Sequence, residues 1–157
     1  MSLQRPTPKP TGLGTRLIRV ASMPARAWYS HGALVWVRND RDEFLLVRER
    51  RRERGKWGLP GGFLNPMEDP AVGAARELRE ETKVSCDPAD LEHVMEYRQP
   101  WARHYEHVFS LTAQGDGASR TRSFEISGQG WFAADDLPAL TAAANEVLVR
   151  LQDRGLL

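Results

Sequence analysis

Three carboxylates, Glu77, Glu80 and Glu81, follow a glycine-containing stretch with Gly58, Gly61 and Gly62. On a helix, at roughly 100° per residue, they fall within about a 100° arc and project from one face within reach of each other. Left bare, such a cluster repels itself. A hard divalent cation such as Mg²⁺, with Mn²⁺ as substitute, removes that repulsion, prefers oxygen ligands and keeps several waters while bridging to phosphate. The competing reading is a solvated helix face neutralised by Arg76, Arg79 and Lys83 at helical spacings. A glycine turn leading into the helix favours the metal-loading reading, because glycine permits the close backbone approach that a metal and a polyphosphate require.

The elements that would position these acids can be read around them. Pro66 and Pro70 bracket a loop, and Asp69 before Pro70 supplies an N-cap carboxylate and a proline at the first helical position, so the helix is expected from about Pro70 to Thr82. Its other face carries Ala71, Ala75, Leu78 and Thr82, which would lie on a sheet. Upstream, residues 31–38 read as a buried strand, Asn39 to Asp42 as a turn and Glu43 to Arg48 as the hairpin partner. Downstream, Leu91 to Tyr97 and Tyr105 to Ala113 read as strands, Gly115-Asp116-Gly117 as a turn and Gly130 to Ala133 as a short strand. A final helix from about Thr141 carries Leu140, Ala144, Val147, Leu148 and Leu151 on one stripe. Strands and helices in this order suggest an α/β fold with a mixed sheet between helices.

Composition fits one domain of modest size. The chain has 157 residues, 41% of them apolar, with 22 basic and 21 acidic side chains giving a net charge of +1. Nothing in that balance argues for a nucleic-acid or membrane surface. Cys86 is the only cysteine, which excludes an intramolecular disulfide and a multi-cysteine zinc site and leaves a packed, inert thiol. No apolar run approaches transmembrane length and no secretory leader opens the chain, so a cytoplasmic location is the default. Residues 1–26 are basic, lack acids and contain Pro6, Pro8 and Pro10; they read as an extended tail ahead of a domain spanning 27–157.

Gly62, Glu68, Arg76-Glu77-Leu78, Glu80-Glu81 and Val84 together resemble the signature box of the Nudix hydrolases, with Lys83 standing where that family has a glycine. Trp57-Gly58-Leu59-Pro60 ahead of the glycines, and Trp131-Phe132 followed by Asp136-Leu137-Pro138, are also similar to the family, and the resemblance covers roughly residues 28 to 153. It implies an α/β/α sandwich and a Mg²⁺-dependent pyrophosphohydrolase. Its substrate would be a nucleoside diphosphate linked to a moiety X, as in a nucleoside triphosphate, a nucleotide sugar, ADP-ribose or a dinucleotide. By the same resemblance Glu77, Glu80 and Glu81 match the metal ligands, the carbonyl of Gly61 joins the metal shell, and Glu68 and Arg76 form an ion pair that orients the neighbouring acids. The general base is either Glu81 or an acid from a downstream loop, for which Glu125 is the candidate. The family glycine closes the helix in a left-handed conformation, so Lys83 is expected to cost roughly 1 kcal/mol there.

Two other classes stay open: an RNA 5′-end pyrophosphohydrolase and a nucleotide-sensing regulator that keeps the fold without cleaving. A homodimer is open as well. Among substrate contacts, Arg48 is the best-placed arginine of the run from Arg48 to Lys56 for a phosphate, since guanidinium groups bind phosphate oxygens bidentately. Trp57 is placed either to stack on a base or to pack under the turn, and Trp28 and Trp101 have weaker claims. His104 and His107, three apart in a strand, point to opposite faces and cannot share an ion. His31 and His93 carry no further signal.

Overall fold

Residues Ala33 to Val37 are buried on both faces and form the centre of β1 (Ser30–Arg38). A strand with such a continuous apolar run has to sit inside a sheet with both faces covered. The computed structural model describes residues 29–50, 53, 55–99, 102–113 and 125–157; Trp28, Trp101, Arg51, Arg52, Arg54, the expected Gly115-Asp116-Gly117 turn and the N-terminal tail lie outside them. In the turn after β1, the Asn39 side chain accepts hydrogen bonds from the backbone N–H groups of Arg41 and Glu43, both at 2.9 Å, which returns the chain into β2 (Phe44–Glu49).

The other strands are β3 (Gly61–Phe63), β4 (Glu92–Arg98), β5 (His104–Thr112) and β6 (Ile126–Phe132). They form one mixed sheet in the order β4-β5-β1-β2-β6, in which β1 and β5 run parallel in register from Ser30↔His104 to Arg38↔Thr112 and the other pairs are antiparallel. β2 meets β1 only at Arg38↔Phe44, and β3 takes the rest of that edge through Gly32↔Phe63, Ala33↔Gly62 and Leu34↔Gly61. The segment before β3 fills the gap: Val35 N–H donates to the Pro60 carbonyl at 2.8 Å, and Val47 and Gly58 exchange bonds of 2.9 and 2.8 Å.

Among the described residues, one helix covers each face. α1 (Pro70–Thr82) packs on the odd positions of β1, where Ala33, Val35 and Val37 meet Ala74, Ala75 and Leu78. α2 (Ala142–Asp153) packs on the even positions, where Leu34 and Trp36 meet Ala144, Val147, Leu148 and Leu151. Each such buried aliphatic side chain contributes about 1.5–3 kcal/mol, so the two layers hold the sheet from both sides as an α/β/α sandwich. Asp69 caps α1 by accepting from Ala71 N–H at 2.9 Å, and Thr141 caps α2 by accepting from Ala144 N–H at 3.3 Å. A short 3-10 helix (Pro88–Asp90) joins α1 to β4.

Two expectations need correction. The glycine pair is not a turn into the helix: Gly61 and Gly62 are strand residues of β3, and the helix is entered from the Leu64–Asp69 loop. β6 begins at Ile126 and not at Gly130, because the ladder with β2 (Arg48↔Gly128, Val47↔Gln129, Leu46↔Gly130) holds a Ser-Gly stretch of low strand propensity extended.

Candidate active site

β3 and α1 bring the glycines and the acids together. Glu81 Oε2 accepts a hydrogen bond from Gly61 N–H at 2.9 Å, fixing the acidic face of the helix to the strand. Gly61 has φ 147°, and a Cβ there would collide with the Ala33 carbonyl and lie 2.8 Å from Leu34 Cα. At Gly62 a Cβ would stand 2.8–2.9 Å from the Glu77 carboxylate. The absence of side chains at these positions gives that carboxylate its seat.

Arg76 ties the acids down. Its Nε and Nη2 donate to the two oxygens of Glu68 at 2.9 and 3.0 Å, its Nη1 donates to Glu77 Oε1 at 2.7 Å, and its Nη2 also reaches the Phe63 carbonyl at 3.2 Å. Glu80 lies 3.6 Å from Nη1 and is 55% exposed, so it is held only loosely. Glu68 Oε2 takes a further bond from Asn65 N–H at 2.8 Å. These contacts have opposite effects on two carboxyls. The Arg76 guanidinium holds Glu68 down at about 2, while burial pushes Glu77 above the ordinary carboxylate range despite its own bond to Arg76. Arg76, bonded by both acids, is held more firmly protonated than a free arginine.

The helix closes at Lys83, whose φ of 63° and ψ of 4° are left-handed and whose N–H bonds the Arg79 carbonyl. Its ammonium turns to the Glu80 backbone carbonyl at 3.3 Å. Among the described residues no three His, Cys, Asp or Glu side chains stand as a ready metal shell. Glu77 is turned to Arg76 and Glu81 to Gly61. The donor set still suits a hard divalent cation: three carboxylates share one helix face, and one of them lies in a cradle that any Cβ at position 62 would fill.

A family model described as NUDIX domain matches residues 28–151. The chain belongs to the Nudix family. The mouse 8-oxo-dGDP phosphatase NUDT18 is 33% identical over 105 residues, covering 64% of this chain and 31% of that protein, so the chain spans less than a third of this relative's length. A Bacillus subtilis protein provisionally named as an 8-oxo-dGTP diphosphatase is 30% identical over 141 residues, 82% of this chain and 91% of its own. The crystal structure of a MutT NUDIX hydrolase from Burkholderia pseudomallei superposes with a TM-score of 0.64 at 28% identity, over 78% of this chain and 97% of that one.

Within this Nudix fold, Arg48 and Trp57 come together. The Arg48 guanidinium lies over the Trp57 ring at 5.3 Å and its Nε donates to Ser127 Oγ at 3.3 Å. Trp57 meets Phe132 edge-on at 4.8 Å, and its backbone bonds Ala139 and Thr141, so it packs under the turn. Glu125 is exposed just before β6, and its carbonyl accepts from Arg50 N–H at 2.8 Å. The Cys86 thiol is half-buried, and burial raises its pKa further from a reactive thiolate. Among the described residues no helix is long and apolar enough to cross a membrane, which says nothing of strands.

His104 and His107 point to opposite faces of β5, and each has a carboxylate. His104 Nε2 is 3.2 Å from Glu106 on the α2 side, while His107 lies 3.3 Å from Glu96 and 3.2 Å from His31 on the α1 side. The His31 contact carries no sequence signal, because it depends on the parallel register that sets Ala33 opposite His107. On the α2 side a cavity of about 360 Å³ opens between the sheet and α2, with Gly62, Phe63, His104 and Glu106 in its lining. Gly62 therefore borders both the cavity and the Glu77 carboxylate.

Proposed function

We propose that this chain is a divalent-metal-dependent diphosphatase that uses Mg²⁺, with Mn²⁺ as substitute, to hydrolyse the phosphoanhydride of a nucleoside diphosphate linked to a moiety X. The observation that carries this reading is the bond from Gly61 N–H to Glu81, which fixes the helix face carrying Glu77, Glu80 and Glu81 against the glycine strand β3. The names of the mouse and Bacillus relatives, which act on or are provisionally assigned to purine nucleotide phosphates, support the nucleotide half of it.

Glu77, Glu80 and Glu81 are the residues that would hold the cation, with the Gly61 carbonyl as a further oxygen. When bound there, it supplies Lewis acidity toward a water and toward phosphate oxygens. The chain's own residues do the rest. Arg76 orients Glu77 and, through Glu68, anchors the Asn65–Asp69 loop to the helix, so the acids keep their direction toward the strand. Glu81, oriented by the Gly61 N–H, accepts the proton of the attacking water, and Glu125 is the second candidate for that proton. Water adds to one phosphorus, the bridging P–O bond breaks, and two phosphate-bearing products leave.

The test is Glu81→Gln, which keeps an acceptor for the Gly61 N–H and removes the charge and the basic oxygen. Turnover on a product-resolved panel of nucleoside diphosphate derivatives should fall at least about 100-fold, as for loss of a general base, with the melting temperature near that of the parent. Activity within a few-fold of the parent would end this assignment.

A further inference from the structure

The cavity under α2 has a polar floor that the phosphate chemistry does not use. Glu106 is 5% exposed; Gln99 Nε2 donates to its Oε2 at 3.3 Å, and His104 Nε2 lies 3.2 Å from the same oxygen. Oε1 has no donor among the described residues. It lies against Gly32, where a Cβ would collide with it and would stand 2.9 Å from His104 Nε2, so only a glycine in β1 leaves room for this carboxylate. Ser30 Oγ lies 2.8 Å from Nδ1, the far nitrogen of His104, and so seats the ring with Nε2 toward Glu106. A buried acceptor with one oxygen fully engaged and the other free, on a glycine cut-out, is a built site.

A second group has no partner in the same cavity. Tyr97 is 8% exposed, and its hydroxyl makes no hydrogen bond among the described residues. Burial and the nearby Glu106 and Glu146 keep that phenol protonated well beyond neutral pH. The lining has three other acids, Glu49, Glu53 and Glu146, of which Glu146 pairs with Arg150 at 2.6 Å and Glu53 with Lys56 at 2.8 Å. Among the described residues that line the cavity there is no lysine or arginine. Such a lining disfavours a further anionic group and favours N–H donors on a neutral ring.

We propose that Glu106, positioned by His104 and Gln99, is a specificity residue that accepts a hydrogen bond from the exocyclic amino group of a nucleobase seated in this cavity. The inference rests on the diphosphatase reading for the direction of the substrate: Gly62 borders both the cavity and Glu77, so a base seated here can extend its diphosphate to the acids of α1. Leu34, Leu59 and Ala144 supply apolar walls for the ring plane. The amino group of adenine and that of guanine present the same chemistry, and paired ligands separate them.

The experiment is calorimetric binding to Glu81→Gln, so that no ligand is consumed, with Mg²⁺ present. ADP is compared with purine riboside diphosphate, and GDP with IDP, each pair differing by one amino group. At least one amino-bearing ligand should bind about 10- to 100-fold more tightly than its partner, the range for a hydrogen bond to a charged acceptor. Which pair shows the gap identifies the base. Adding Glu106→Leu should bring the two members of that pair to within about threefold, and Glu106→Gln should leave an intermediate gap. Equal binding of both members in both pairs, a result that needs no substitution at position 106, overturns the proposal. So does a gap that survives Glu106→Leu. Because the readout is binding, a parent protein that cleaves nothing would end the diphosphatase reading while the amino-group preference is still decided.

Discussion

Lys83→Gly should make this protein more stable, which is unusual for a substitution that removes a whole side chain. Lys83 closes α1 with φ 63° and ψ 4°, where an L-residue costs about 1–2 kcal/mol and glycine costs nothing sterically. Two losses offset part of that gain. Glycine adds freedom to the unfolded chain, worth about 0.4–1 kcal/mol, and the exposed bond from Nζ to the Glu80 carbonyl at 3.3 Å is worth a few tenths at most. The net is a stabilisation of about 0.5–1 kcal/mol. At about 2–4 °C per kcal/mol for a domain of this size, the midpoint should rise by about 1–4 °C. Scanning calorimetry together with urea midpoints on the parent, Lys83→Gly and Lys83→Ala measures it. The alanine variant keeps the strained conformation and loses the Nζ bond, so it should be equal to the parent or slightly weaker. A glycine variant no more stable than the alanine variant would refute the left-handed strain as the governing effect.

Other outcomes follow from the same geometry. Glu68→Gln should cost about 1–2 kcal/mol at pH 7, a value reduced for the pair's access to water. Because Arg76 depresses the folded Glu68 carboxyl to about 2 from 4.5, that contribution is fully present above about pH 4.5 and lost as the pH falls toward 2. Urea midpoints of parent and variant should therefore converge between pH 4.5 and 2, and a constant gap across that range would contradict the pair's role. Gly61→Ala should lose about 3 kcal/mol or more in thermal unfolding, since its Cβ meets backbone of β1. Gly62→Ala should lose less than half as much, because the Glu77 carboxylate it strikes can swing aside, yet it should weaken Mg²⁺ binding by calorimetry; the reverse order of stabilities would be wrong for this packing.

The parts of the fold legible in the sequence are those that local chemistry writes. Asp69-Pro70 starts α1, and the helix expected from about Pro70 to Thr82 is found at Pro70–Thr82. Thr141, an expected helix start, is the cap of α2. The acids of α1 are equally legible, since three positions on a helix fix a face without any knowledge of the sheet. β3 could not be read that way. Three residues, two of them glycine, carry no alternation, and their strand state comes from β1 alone. The same holds for Ser127 and Gly128 at the start of β6. The cluster at Glu106 joins residues from β1, β4 and β5, and needs Gly32 to sit opposite Glu106 in a parallel register that no sequence pattern states.

The stretch from Trp57 to Phe63 is bonded to β1 through Pro60, Gly61 and Gly62, to β2 through Gly58, and to the start of α2 through Trp57 and Thr141. It behaves as a seam sewn on three sides. A change at Gly61, whose Cβ would meet the backbone of β1, has to open the sheet, and it alters site and folding together. His104 and Glu106, in contrast, are on β5, which is paired with β1 and β4 on its two flanks, so a substitution there leaves the backbone ladder intact. On the proposal that a nucleobase sits in this cavity, positions 104 and 106 are a handle on substrate choice separable from Gly61, the part of the seam to leave untouched.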